Sequence, residues 1–224
     1  MRKISIFLGV LFSCLIFTSC HEEVENWDSA VLDYSGRYVV KLLSEDGQAI
    51  TDYDGTEIQL YNSSANLANE MWIDDFQTIF PLKTKINFSG TTANFASVET
   101  DFNKLTDNQY AFSAPSISPT AEGETYVIDG SSSRYLRAIL LEGKITPDGY
   151  TTKGGNITDA IRLKIKLYVG SLTFTSYKTP EAGWANPNVP EFAWELTNME
   201  HTPELDETYI IEGYRYTGYS EDDF

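Results

Sequence analysis

Histidine and cysteine are almost missing from this chain of 224 residues, which has two of each. Cys14 sits inside an apolar N-terminal run and Cys20 just after it, so no disulfide framework is available to the rest of the sequence. A serine or cysteine nucleophile needs a base, usually histidine. His21 lies beside the leader, leaving His201 in Asn198-Met199-Glu200-His201-Thr202-Pro203 as the one candidate within the folded part. No Gly-x-Ser-x-Gly elbow raises a serine at a strand-to-helix turn. Basic residues are also scarce, 16 Lys and Arg against 33 Asp and Glu. That balance excludes the counterion-release term that drives nucleic-acid binding and repels anionic headgroups. The longest apolar run, Ile4 to Phe17, is shorter than the roughly 20 residues that span a bilayer comfortably.

What is present begins with an export leader. Arg2 and Lys3 precede that run, and Thr18 and Ser19 stand against Cys20. Phe17-Thr18-Ser19-Cys20 resembles the bacterial lipobox, which implies cleavage before Cys20 and acylation of that cysteine; an ordinary signal peptide cut nearby is the alternative. Loss of residues 1–19 leaves 205 residues, with 14 Lys and Arg against 33 Asp and Glu, a net charge of −19. Several acyl chains on one cysteine anchor durably, since each buried methylene adds about 0.8 kcal/mol of membrane affinity. Residues 20–33 read as a tether. Its acids Glu22, Glu23 and Glu25 resemble the sorting signal that sends Bacteroidetes lipoproteins to the outer face of the outer membrane, and a plain solvated linker fits them as well.

From residue 34 to 224 the dominant period is two. In Arg162 to Val169 the residues Leu163, Ile165, Leu167 and Val169 alternate with Arg162, Lys164, Lys166 and Tyr168, a half-buried strand. Gly170-Ser171 then reads as a II′ turn leading into a hairpin with Leu172 to Tyr177. Weaker alternation marks Arg37 to Leu43, Thr56 to Tyr61, Leu82 to Phe88, Gln109 to Phe112, Thr125 to Asp129, Tyr135 to Ile145 and Tyr209 to Thr217. Turns are signalled at Glu45-Asp46-Gly47, Asp54-Gly55, Pro147-Asp148-Gly149 and Gly154-Gly155, and surface loops at Ser113 to Gly123 and Thr179 to Pro190. One short helix is suggested at Ser63 to Met71 by Leu67 and Met71. This pattern predicts an all-β fold, a single antiparallel β-barrel of about eight strands, with a two-sheet β-sandwich as the alternative. An eight-stranded barrel has room for one small apolar ligand.

Two segments carry a family resemblance. Met71-Trp72-Ile73-Asp74-Asp75-Phe76, running on through Phe80-Pro81-Leu82-Lys83-Thr84-Lys85-Ile86, and the ending Tyr209 to Asp222 with Gly213-Tyr214-Arg215, Thr217-Gly218 and an acidic tail, resemble a Bacteroidetes lipoprotein family called lipid-binding putative hydrolases. The resemblance spans Ser35 to Phe224 and implies a calycin-like barrel, lipid binding and, from the family's name, hydrolysis. Gly36-Arg37-Tyr38 is similar to the calycin Gly-x-aromatic start, which makes Arg215 a partner for Tyr38; unrelated strand residues are the alternative.

Among the residues themselves, binding outweighs catalysis. Trp72, Phe76 and Phe80 in one motif and Tyr214 and Tyr216 in the other are the candidate pocket residues, on the expectation that both segments end near one rim. Asp74-Asp75 is the most suggestive acid pair, but strand neighbours point to opposite faces. Asp52-x-Asp54-Gly55 lacks the Gly and Glu that a calcium loop needs, and no metal or cofactor is implied. The first reading is a barrel that sequesters a lipid or other hydrophobic small molecule. A lipid or ester hydrolase is the second, and the third is a glycan-binding or adhesive sandwich displaying Trp184 and Trp194.

Overall fold

A computed structural model describes residues 29–76, 78–89, 94–104, 114–129 and 135–222. The leader, Cys20, most of the tether and the strand expected at Gln109 to Phe112 lie outside them.

The described chain forms β1 (Gly36–Ser44), β2 (Glu57–Asn62), β3 (Glu70–Asp74), β4 (Lys83–Ser89), β5 (Asn94–Ser97), β6 (Thr125–Asp129), β7 (Arg137–Thr151), β8 (Ile157–Tyr168), β9 (Gly170–Lys178), β10 (Phe192–His201) and β11 (Glu207–Arg215). Eight of these close a barrel in the order β1-β11-β8-β7-β5-β4-β3-β2, and β10-β9-β6 form a second sheet. Each neighbouring pair of strands is antiparallel. The fold is therefore the all-β closed barrel that the period-two pattern predicts, and not the sandwich.

Alternation decides which side chains go inside. On β8 the inward set Ile161, Leu163, Ile165 and Leu167 is buried, while Arg162, Lys164 and Lys166 face out. Tyr38, Val40, Ile58, Leu60, Met71, Ile73, Ile86, Leu140 and Ile211 join them in one continuous core. At eight strands the interior is just wide enough for side chains to meet across it, and these residues pack there as one cluster. The second sheet covers the outer face of β7: Leu172 and Phe174 from β9 and Trp194 and Leu196 from β10 pack with Ile139, Tyr168 and Phe102. That cover explains why Ile139, an outward residue on the barrel, is fully buried.

Three local expectations are corrected. Ser63 to Met71 is no helix: turns fill the segment, Asn66 has a φ of +47°, and Glu70 and Met71 already belong to β3. Gly170-Ser171 is no II′ turn, because β9 leaves the barrel and pairs with β10 and β6 rather than with β8. The glycine serves a close approach instead. A β-carbon there would stand 2.1 Å from the Glu200 carbonyl oxygen. Pro147-Asp148-Gly149 falls at a register shift inside β7, with Asp148 at φ +54°, and the β7–β8 hairpin turns at Gly154-Gly155.

Candidate functional site

The two ends of the barrel are built differently. At one end the turn 29–35 folds across the opening and buries Val31 in the core. Tyr34 stacks on Phe88 at 5.0 Å between centroids, and its carbonyl accepts the Tyr38 hydroxyl at 3.0 Å. Arg215 donates to the carbonyls of Ser35 at 2.6 Å and Asp33 at 3.1 Å, and its guanidinium lies 3.5 Å from the Asp159 carboxylate. Main chain tied down by a charged side chain seals this end.

The opposite end is closed by side chains. Between β3 and β4 the buried Asp75 carboxylate accepts the N–H groups of Phe80 at 2.7 Å and Ile79 at 3.3 Å, which turns the loop inward and places Phe80 in the core, 8% exposed. Phe80 meets the rings of Tyr209 at 5.4 Å and Tyr135 at 5.9 Å. Tyr209 donates to Glu207 Oε2 at 2.7 Å, and Tyr135 donates to the same oxygen. The bond to Glu207 holds the Tyr209 phenol above its ordinary value, and burial followed by that bond does the same for Tyr135. Apolar side chains stand in solvent on the loops that meet this end: Phe76 at 57% exposure, with Ile50 and Leu205.

The candidate residues named from the sequence do not converge on one rim. Phe80 lies inside at the aromatic end, and Phe76 stands in solvent beside it, its φ of +55° and its N–H bond to Asp74 (2.8 Å) turning it away from the core. Trp72 is on the outer wall, because Met71 and Ile73 on either side of it point inward; the Lys85 ammonium sits 5.4 Å from its ring. Tyr214 is also outside, stacked on Tyr150 at 4.3 Å and met edge-on by Tyr53 at 5.2 Å. Tyr216 lies under the Arg37 guanidinium at 4.8 Å. The β3–β4 loop and the end of β11 belong to opposite ends of the barrel, so one rim cannot hold both motifs. Tyr135, Tyr209 and Glu207 were not singled out in the sequence; the signal for the last two was their i, i+2 spacing on the inward face of β11.

Residues 23–220 match the family described as "Lipid-binding putative hydrolase". The chain belongs to this family. No curated protein matches it.

His201 ends β10, stacks on Phe102 at 4.5 Å, and presents Nε2 to both carboxylate oxygens of Asp206 at 3.0 Å. Burial pushes the Asp206 carboxyl up, but donors from Lys166, the Val169 N–H and His201 outweigh it and hold the group below its ordinary value. A histidine oriented by an aspartate is half of a nucleophile-activating arrangement. The pair ties the second sheet to the barrel, since His201 ends β10 and Asp206 stands just before β11; among the described residues no serine, threonine or cysteine side chain is hydrogen-bonded to this histidine. Asp74 and Asp75 part as strand neighbours do: Asp74 pairs outside with Lys83 at 2.8 Å, and Asp75 holds the loop amides. Trp184 and Trp194 are half-buried, with their indole N–H groups spent on the carbonyls of Thr179 at 3.0 Å and Ile117 at 2.6 Å. Among the described residues no cluster of His, Cys, Asp and Glu has the makings of a metal site.

Proposed function

We propose that the mature chain is an exported lipoprotein, acylated at Cys20 and anchored by those acyl chains in the outer membrane, whose barrel sequesters the apolar part of a lipid at its aromatic end. The inequality of the two ends supports this reading. Opening the sealed end breaks main-chain contacts and an arginine network, whereas opening the other requires only that Phe80, Tyr135 and Tyr209 turn aside. An acyl chain then takes their place against the apolar core, and Glu207 with the two phenols offers a few polar contacts at the mouth, the usual division of labour in a lipid or small-molecule site. Family membership supports lipid as the ligand class.

The test is uptake of a pyrene-labelled phosphatidylcholine by the mature protein, with native mass spectrometry of detergent-free material as a second readout. Wild type takes up the probe, and Phe80→Ala and Tyr135→Ala change its affinity. Absence of uptake, or uptake indifferent to both substitutions, overturns the site. Intact mass of the membrane fraction checks the anchor, and an unmodified Cys20 rejects it.

A further inference from the structure

Among the described residues the seam between β5 and β7 is the shortest in the barrel wall, with Asn94 opposite Lys144 and Phe95 opposite Gly143 in register. Beyond them the strands part, and the Ser97 hydroxyl accepts the Leu140 N–H at 2.8 Å where a ladder bond would otherwise run. The parting leaves a groove of about 630 Å³ on the outer wall, within the size range of small-molecule sites. Ala96, Val98 and Leu141 make one side of it apolar, and Val98 is 48% exposed. Lys144, Arg162 and Lys164 make the other side cationic, with Glu142 as the acid among them.

The charge arrangement is not one that stability alone explains. Lys144 and Arg162 face each other in register across β7 and β8, and like charges directly opposite each other destabilise a sheet. Arg162 has a counterion in Glu212 on β11, and Lys164 has one in Glu45 at 3.0 Å. Lys144 has no ion pair among the described residues, in a chain with twice as many acids as bases to supply one. An unbalanced cation beside a balanced one, at the edge of an exposed apolar strip, matches a ligand with both characters.

We infer that this groove binds an acidic amphiphile, its hydrocarbon along Ala96, Val98 and Leu141 and its carboxylate or phosphate between Lys144 and Arg162. The site is on the outside of the wall and is separate from the ligand proposed at the aromatic end. Its occupant supplies the counter-charge that Lys144 lacks among the described residues.

The probe is dodecanoate below its micellar concentration, with dodecanol and inorganic phosphate as comparisons, followed by calorimetry and by amide shifts of the mature protein. Dodecanoate shifts the amides of Val98, Gly143 and Lys144, and Lys144→Gln weakens it about tenfold, the scale of one charged hydrogen bond. Dodecanol binds more weakly and is indifferent to Lys144→Gln. Inorganic phosphate binding as tightly as dodecanoate overturns the amphiphile in favour of a bare anion site. Shifts confined to Phe76, Ile79 and Tyr209, or dodecanoate affinity unchanged in both Lys144→Gln and Arg162→Gln, overturns the groove. Uptake of the pyrene lipid in the Lys144→Gln variant reads the aromatic end separately, so failure of one site is not mistaken for failure of the other.

Discussion

Arg215 and Tyr38 stand in register across β11 and β1, and both point into the sealed end of the barrel. Gly36, at φ +147°, makes room for the arginine: a β-carbon there would lie 3.1 Å from Nε. The guanidinium reaches from this gap to two main-chain oxygens and to Asp159, and so fastens the turn 29–35 over the core. Arg215→Ala removes those bonds and leaves carbonyls without donors, at a cost of about 1–3 kcal/mol. Urea denaturation measures the loss, and hydrogen exchange should show the Tyr34 and Ser35 amides losing protection first. An unchanged midpoint would mean that the turn is held by Val31 and Tyr34 alone.

That Tyr38 and Arg215 meet was legible in Gly36-Arg37-Tyr38 and Gly213-Tyr214-Arg215, though the resemblance implies a cation over the ring and the guanidinium instead bonds main-chain carbonyls; the inward face of β8 was legible too, because four apolar residues alternate there without interruption. β10 was not. Its apolar residues Trp194 and Leu196 keep the period, but a bulge between Leu196 and Asn198 shifts Met199 out of step. The candidate site was only partly readable for a different reason. A sequence shows which residues share a strand face, but the end of the barrel at which a strand stops depends on pairings between strands distant in the chain, as Glu207 and Tyr209 meeting Tyr135 shows.

Phe95 lies against Gly143 on the neighbouring strand so closely that a β-carbon at 143 would be 2.2 Å from its ring. Gly143→Ala therefore overpacks the wall, at about 1–3 kcal/mol. Phe95→Leu in the same chain should recover part of that loss, giving a coupling of about 1 kcal/mol in a double-mutant cycle. Strictly additive effects would show that the ring moves freely away.

Asp206 links β8, β10 and β11 through Lys166 at 2.9 Å, His201 at 3.0 Å and the Val169 N–H at 3.1 Å. Its carboxyl is lowered on folding from the ordinary 3.8, so its contribution is complete above that value and fades as pH falls through the lower, folded value. Asp206→Asn should cost about 1–3 kcal/mol at pH 7, and the gap to wild type should close below pH 4. Urea midpoints at pH 7, 5 and 3 test the sign. A gap that stays constant over this range would show that the charge of Asp206 contributes nothing.

Glu207 holds the aromatic end together by accepting two phenol hydroxyls on one oxygen. In Glu207→Ala both tyrosines lose that acceptor, so their phenols should titrate at lower pH, a change visible in ultraviolet absorbance. The stability cost is modest, about 1 kcal/mol, because the groups can turn to water. The kinetic effect is larger and has a definite sign. If Phe80, Tyr135 and Tyr209 are the gate, releasing two of them lowers the barrier to opening, and pyrene-lipid association by stopped flow should run several-fold faster than in wild type. Slower association would mean instead that the contact Glu207 offers the incoming ligand outweighs its hold on the two phenols.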